Sequence, residues 1–115
     1  MARESEFLNE VIGRLAPIGA RGRSMFGGFG VYVDDVMMAL VADDVVYFKT
    51  DDSNRADYED RGSAPFMYSG KRGQPIAMSY HEVPDEVFDD VDDLILWAEK
   101  ALAVAKRNKK TKKKR

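Results

Sequence analysis

Apolar residues recur along the chain with two different periods. Phe7, Leu8, Val11, Ile12 and Leu15 fall three and four positions apart, which places them on one face of a helix. The pattern predicts a helix over 5–15, ended by Pro17 and Gly19. Gly13, inside that span, is a weak helix former. From Ser24 the period changes. Phe29, Val31 and Val33 alternate with Gly30 and Tyr32, Val36 to Val41 is apolar at every position, and Val45 to Phe48 is a third short apolar run. Alternation predicts strands, and the unbroken run predicts a strand covered on both faces. Asp34-Asp35 and Asp43-Asp44 separate the three runs. Aspartate favours turns because its carboxylate bonds nearby backbone amides. An antiparallel meander over 24–49 follows.

Thr50-Asp51-Asp52-Ser53 offers several helix-capping residues in succession. A short helix is expected after it, running to Asp60 or Arg61, with Gly62 placed to end it. Pro65 to Tyr68 and Ile76 to Glu82 read as two more strands, joined by the glycine-bearing loop Ser69-Gly70-Lys71-Arg72-Gly73. The last helix is expected to begin between Asp85 and Asp90 and to run to Lys106. Val91, Leu94, Ile95, Ala98, Ala101, Leu102 and Ala105 form its stripe. Aspartates gather at its start, and Lys106 and Arg107 at its end, as the helix dipole favours. Leu96, Trp97 and Val104 lie off the stripe and are expected to pack under a loop or against a partner. The order predicts the α+β class: a mainly antiparallel five-stranded sheet flanked by N- and C-terminal helices, with one short middle helix.

Charge divides the chain more sharply than hydropathy does. The net charge of the 115 residues is −2, yet residues 106–115 read KRNKKTKKKR, with eight basic residues and no acidic one. Residues 1–105 therefore hold 10 basic and 20 acidic side chains, a net of −10. A like-charge block buries nothing, so a disordered basic tail over 106–115 is expected beyond a folded body over 1–105. Neutralising about five phosphates of duplex DNA, such a tail would give a salt slope of about −4 to −5, without reading sequence. There is no cysteine and one histidine. Disulfides, thiolate metal sites and a cysteine nucleophile are excluded, and so is any site built on several histidines. No apolar stretch approaches the roughly 18 residues that span a bilayer. Residues 1–6 are polar and lack a signal-peptide core. A cytoplasmic protein without a membrane association is expected.

The motifs point away from catalysis. Gly27-Gly28-Phe29-Gly30 lacks both the G-x-G-x-x-G spacing and a following Gly-Lys-Ser/Thr, so a bend or bulge explains it better than a phosphate loop. The aspartate pairs are separated by strands and do not converge as calcium ligands do. His81 and Glu82 are adjacent on a strand and diverge; only carboxylates from elsewhere could serve His81 as an acid–base partner. Ser24, Ser63 and Ser79 have no nucleophile-elbow context. No catalytic residue, metal ligand or cofactor is assigned. The basic pairs Arg21-x-Arg23 and Lys71-Arg72 are either solvated turns or phosphate contacts. Tyr32, Tyr47, Tyr68 and Tyr80 either cap the sheet edge or belong to an interface.

Several segments together resemble the N-terminal domain of the TfoX/Sxy family, bacterial regulators of natural competence. They are Arg23-Ser24-Met25-Phe26-Gly27-Gly28-Phe29-Gly30-Val31-Tyr32, Met38-Ala39-Leu40, Val46-Tyr47-Phe48-Lys49-Thr50-Asp51, Pro65-Phe66-Met67-Tyr68, Met78-Ser79-Tyr80-His81-Glu82-Val83-Pro84 and Trp97-Ala98. In order and spacing they cover roughly 5–105, with Met25, Phe26, Gly27, Gly28 and Gly30 as the structural motif. Two departures stand out. Longer members continue into a helical domain where this chain has its lysine run, and His81 stands where the family often has an aromatic. The resemblance implies an α+β domain of the kind seen in YjbR-like proteins, and a non-enzymatic role in transcription. The expected function is a regulatory module that contacts a protein of the transcription machinery. DNA attraction is expected through Lys106, Arg107, Lys109, Lys110, Lys112, Lys113, Lys114 and Arg115, with Lys71 and Arg72 as helpers. The alternatives are a winged domain that binds DNA directly and, third, a small-ligand protein or enzyme using His81. A homodimer through a sheet edge or through Trp97 and Val104 is a further expectation.

Overall fold

The computed structural model describes residues 3–25, 28–69, 73 and 75–113. Helix α1 (Arg3–Arg14) leads through a 3-10 turn (Ala16–Ile18) into strands β1 (Arg21–Met25), β2 (Gly28–Val33), β3 (Val36–Ala42) and β4 (Val45–Lys49). Helix α2 (Arg55–Glu59), strands β5 (Pro65–Ser69) and β6 (Pro75–Glu82), the short helix α3 (Asp85–Phe88) and the long α4 (Val91–Lys113) follow. The strands form one antiparallel sheet in the order β1-β2-β3-β4-β6-β5.

The α+β class holds, with six strands where the apolar pattern predicts five. The added strand is β1, an edge strand of sequence RGRSM in which Arg21 to Ser24 are exposed. A strand with little to bury leaves no hydrophobic period to read. Its Gly22 lies against α1: a Cβ there would sit 3.1 Å from a Leu8 methyl.

The core lies on one face of the sheet. Val31 and Val33, Ala39 and Val41, Val46 and Phe48 join Val11 of α1, Leu15 just after it, and Leu94, Ala98, Ala101 and Ala105 of α4 in a single buried cluster. The alternating residues Tyr32, Leu40 and Tyr47 belong to the opposite face. The unbroken apolar run of β3 has a specific cause. The register slips opposite Val31/Tyr32, so consecutive Met38 and Ala39 both enter the core, as a bulge permits.

Both hairpins flanking β3 turn on aspartate pairs with left-handed backbone: φ is 51° and 67° at Asp34 and Asp35, and 53° and 61° at Asp43 and Asp44. Two-residue hairpins need this conformation. Aspartate tolerates it, but at a cost that glycine avoids. Asp44→Gly should therefore raise stability by about 0.5 kcal/mol, once the extra unfolded-state entropy of glycine offsets part of the gain. A thermal melt should rise by roughly 2–4 °C; a fall would show that the turn is not strained.

The last helix comes in two pieces. Asp90 Oδ1 accepts the amides of Asp92 and Asp93 at 3.1 and 3.3 Å, so it caps α4 and separates it from α3. At its other end α4 runs to Lys113 rather than stopping at Lys106. Lysine and arginine are good helix formers, and cations suit a helix C-terminus. The backbone over 106–113 is thus helical where the charge pattern predicts a disordered tail; 114 and 115 lie outside the described residues. No helix among the described residues is long and apolar enough to cross a membrane.

Candidate functional site

Side chains with chemical potential gather at several places among the described residues. The first is the end of the sheet where the β2–β3 turn, the loop after β4 and the last turns of α4 meet. Lys106 Nζ lies 2.9 Å from Asp34 Oδ2. Arg107 lies 2.9 Å from Asp51 Oδ2 and donates to Ser53 Oγ at 3.0 Å. Ser53 in turn gives its amide (2.8 Å) and hydroxyl (2.6 Å) to Asp51 Oδ1. The Ser53 bonds, assisted by Arg107, hold the Asp51 carboxyl at about 2 against the opposing effect of its desolvation. Exposed pairs of this kind each contribute only about 0–1 kcal/mol.

Two concave surfaces adjoin this corner and share Asp35. The larger, about 670 Å³, is lined by Gly19, Arg21, Gly22, Arg23, Tyr32, Asp34 and Asp35. The smaller, about 230 Å³, includes Met37, Lys49 and Tyr80 of the sheet and Ala105 and Asn108 of α4. Each surface holds a cation stacked on a tyrosine. Arg23 lies 5.4 Å from the Tyr32 ring centre, and Lys49 lies 4.7 Å from that of Tyr80. Burial, with Tyr32 nearby, pushes the Tyr80 hydroxyl up to about 12.

The second place is buried. His81 is only 5% exposed. It pairs with Phe48 across the β4–β6 ladder, and its Nδ1 is 2.9 Å from Thr50 Oγ1. Its ring centre is 5.7 Å from that of Tyr58. Tyr58 stands edge-on to Trp97 at 4.7 Å, and its hydroxyl is buried with no protein partner among the described residues. Burial holds His81 below its ordinary value, with Glu59 opposing and Arg55 assisting. A histidine of this kind is a neutral core residue. Among the described residues no carboxylate is hydrogen-bonded to it, and it lines neither concavity above. Two of the three off-stripe residues of α4 are explained here as well, whereas Leu96 is 59% exposed. Trp97, partly buried, packs against Tyr58 of α2, and Val104 is 1% exposed.

The third place is the β5 side of the sheet. Tyr47 and Phe66 meet edge-on at 4.9 Å, and Met67 and Met78 are 50% and 38% exposed. Aromatic residues and methionine are the types enriched in protein interfaces.

The remaining sequence candidates are scattered or hidden. Lys71, Arg72, Phe26, Gly27, Lys114 and Arg115 lie outside the described residues. Met25 ends β1, Gly28 begins β2, and Gly30 is buried inside β2. Lys109, Lys110, Lys112 and Lys113 lie on the α4 backbone. No group of three or more His, Asp or Glu among the described residues is placed to hold a metal ion. The sequence marks Arg21 and Arg23 only as a basic pair ahead of the glycine motif. It carries no signal for Tyr58, whose five-residue helix is too short to show a period.

Comparison with known proteins gives one finding. The family model described as the TfoX N-terminal domain matches residues 13–105, from the last turn of α1 to Ala105 in α4. A search of curated proteins found no match. With four-fifths of its length matched to that model, the chain belongs to the TfoX N-terminal domain family.

Proposed function

We propose that the protein is a non-enzymatic regulatory module of the cytoplasm. It acts in competence or related transcriptional control by contact with a protein of the transcription machinery. The observation that carries this reading is the apolar surface around edge strand β5: Met67 is 50% exposed, its neighbour Phe66 reaches the opposite face to pack on Tyr47, and Met78, beside the Met67 partner Ala77, is 38% exposed. Family membership supports the regulatory setting. The lysine-rich end of α4 adds sequence-independent attraction to DNA.

The test is affinity purification from the native host, comparing the wild-type chain with a Met67→Asp/Met78→Asp double variant. A transcription protein identified with the wild type should be lost from the variant, while circular dichroism shows both folded. Equal recovery with both would sink the proposed interface. A chain ending at Ala105 should keep that protein partner and lose DNA retardation. If it still retards duplex DNA at physiological salt, the folded body is the DNA binder, and the winged-domain alternative takes its place.

A further inference from the structure

The larger concave surface has a composition that neither a protein interface nor a lysine tail explains. Its roughly 670 Å³ falls within the ~300–1,000 Å³ typical of small-molecule sites. Arg21 and Arg23 stand two residues apart on β1, so both leave the same face of the strand. Arg23 is stacked on Tyr32. Asp34 and Asp35 of the β2–β3 turn also line it. Asp34 is already matched by Lys106. Among the described residues the side chain of Arg21 makes no hydrogen bond or ion pair, and neither does that of Asp35.

These groups select a ligand by its parts. A bare anion would meet two carboxylates as well as two guanidiniums. An apolar ligand would leave all four charges unmatched. What fits is a molecule with a singly or doubly charged anionic end, a flat aromatic part, and hydroxyl or amino donors between them. We propose that this surface binds a nucleotide unit. Arg21 and Arg23 hold its phosphate, the Tyr32–Arg23 stack faces its base, and Asp35 accepts from a sugar hydroxyl or an exocyclic amine. Bases stack on both tyrosine rings and guanidinium planes in single-strand recognition. The charge also sets the form. Arg21, Arg23 and Lys106 against Asp34 and Asp35 leave one net positive charge, which suits a monophosphate or a phosphodiester better than a triphosphate. Two sources carry that chemistry: a free nucleoside monophosphate and a single-stranded nucleic acid. The lysine-rich continuation of α4 starts beside the adjoining concavity, at Asn108, and favours the strand.

The experiment uses the full chain and three probes at about 150 mM salt: labelled ten-residue oligo-dT, a labelled duplex of the same length, and AMP. Fluorescence anisotropy reads the two DNA probes and calorimetry reads AMP. Oligo-dT should bind more tightly than the duplex. Arg21→Gln and Tyr32→Leu should each weaken single-strand binding roughly fivefold or more and leave duplex binding unchanged. AMP binding with the same sensitivity, without oligo-dT binding, supports the site and names the free nucleotide as its source. Equal binding of strand and duplex, insensitive to both substitutions, would overturn the proposal and assign all affinity to the lysine run. So would no binding of any probe. Arg21 is exposed, so Arg21→Gln keeps the test valid even where Tyr32→Leu perturbs the sheet. None of these outcomes touches the Met67/Met78 surface, so this proposal and the regulatory one fail separately.

Discussion

Gly28→Ala should destabilise the domain by about 3 kcal/mol, and the thermal midpoint should fall by roughly 10–20 °C. Gly28 opens β2, opposite Met25 of β1, and lies close to β3. A Cβ added to it would overlap the carbonyl oxygen of Val41 and stand 3.4 Å from the Val41 carbonyl carbon. Both atoms are backbone, so no rotamer change can relieve the overlap. The strand must move, and Phe29, which pairs with Val41 and packs on the core, moves with it. Gly13 supplies the control. It sits in α1, where an added Cβ would meet nothing within 4 Å, and alanine there should stabilise by about 0.5–1 kcal/mol through helix propensity. Opposite signs at the two glycines, read by urea or thermal melts, would establish that the glycine motif serves strand packing. A Gly28→Ala melt within a degree or two of wild type would refute it.

The bland explanation of Gly27-Gly28-Phe29-Gly30, a bend or bulge, follows in the sequence from a missing phosphate-loop spacing. The structure gives Gly28 a different reason, the close approach of its backbone to the Val41 carbonyl inside the sheet, while Gly27 lies outside the described residues. The aspartate pairs are legible as turns because few residues other than Asp, Asn and Gly tolerate two successive left-handed positions. The long helices are legible because each buries a periodic face, the five strands from their apolar runs, and α2 only from the capping residues ahead of it and Gly62 after it. Strand β1 is not, because an exposed edge of Arg, Gly and Ser obeys no such period. Its absence from the pattern also hides the site that Arg21 and Arg23 form with Tyr32 and the β2–β3 turn. The end of α4 escapes the sequence for the opposite reason. Composition predicts that a lysine block repels itself, whereas Lys106 and Arg107 are held by Asp34 and Asp51, residues more than fifty positions away. Long-range carboxylates of this kind are invisible to local charge counting, yet they reconcile the acidic body with its basic end.

The second large effect is expected at His81. His81→Ala should cost about 3–5 kcal/mol, because it opens a cavity among Phe48 and Tyr58 and leaves the buried Thr50 hydroxyl without its partner. The same residue makes stability depend on pH. Burial disfavours the imidazolium, so the folded value lies below the unfolded one near 6.5. Between the two values the unfolded chain binds more protons than the folded one, so stability rises with pH there. The contribution is complete above about 6.5 and is lost as pH falls through the folded value. Glu59 softens this loss and Arg55 deepens it. The chain has one histidine, so no other side chain with an ordinary value near 6.5 can produce a slope in that window. His81→Gln keeps a group able to bond Thr50 but does not titrate. Urea melts from pH 5 to 8 should therefore show stability rising with pH in the wild type and a flat profile in His81→Gln over the same window. A wild-type profile as flat as that of the variant would mean that the folded protein accommodates a charged His81. The buried Thr50–His81–Tyr58 cluster would then have to admit water, and the assignment of His81 as a neutral core residue would fail.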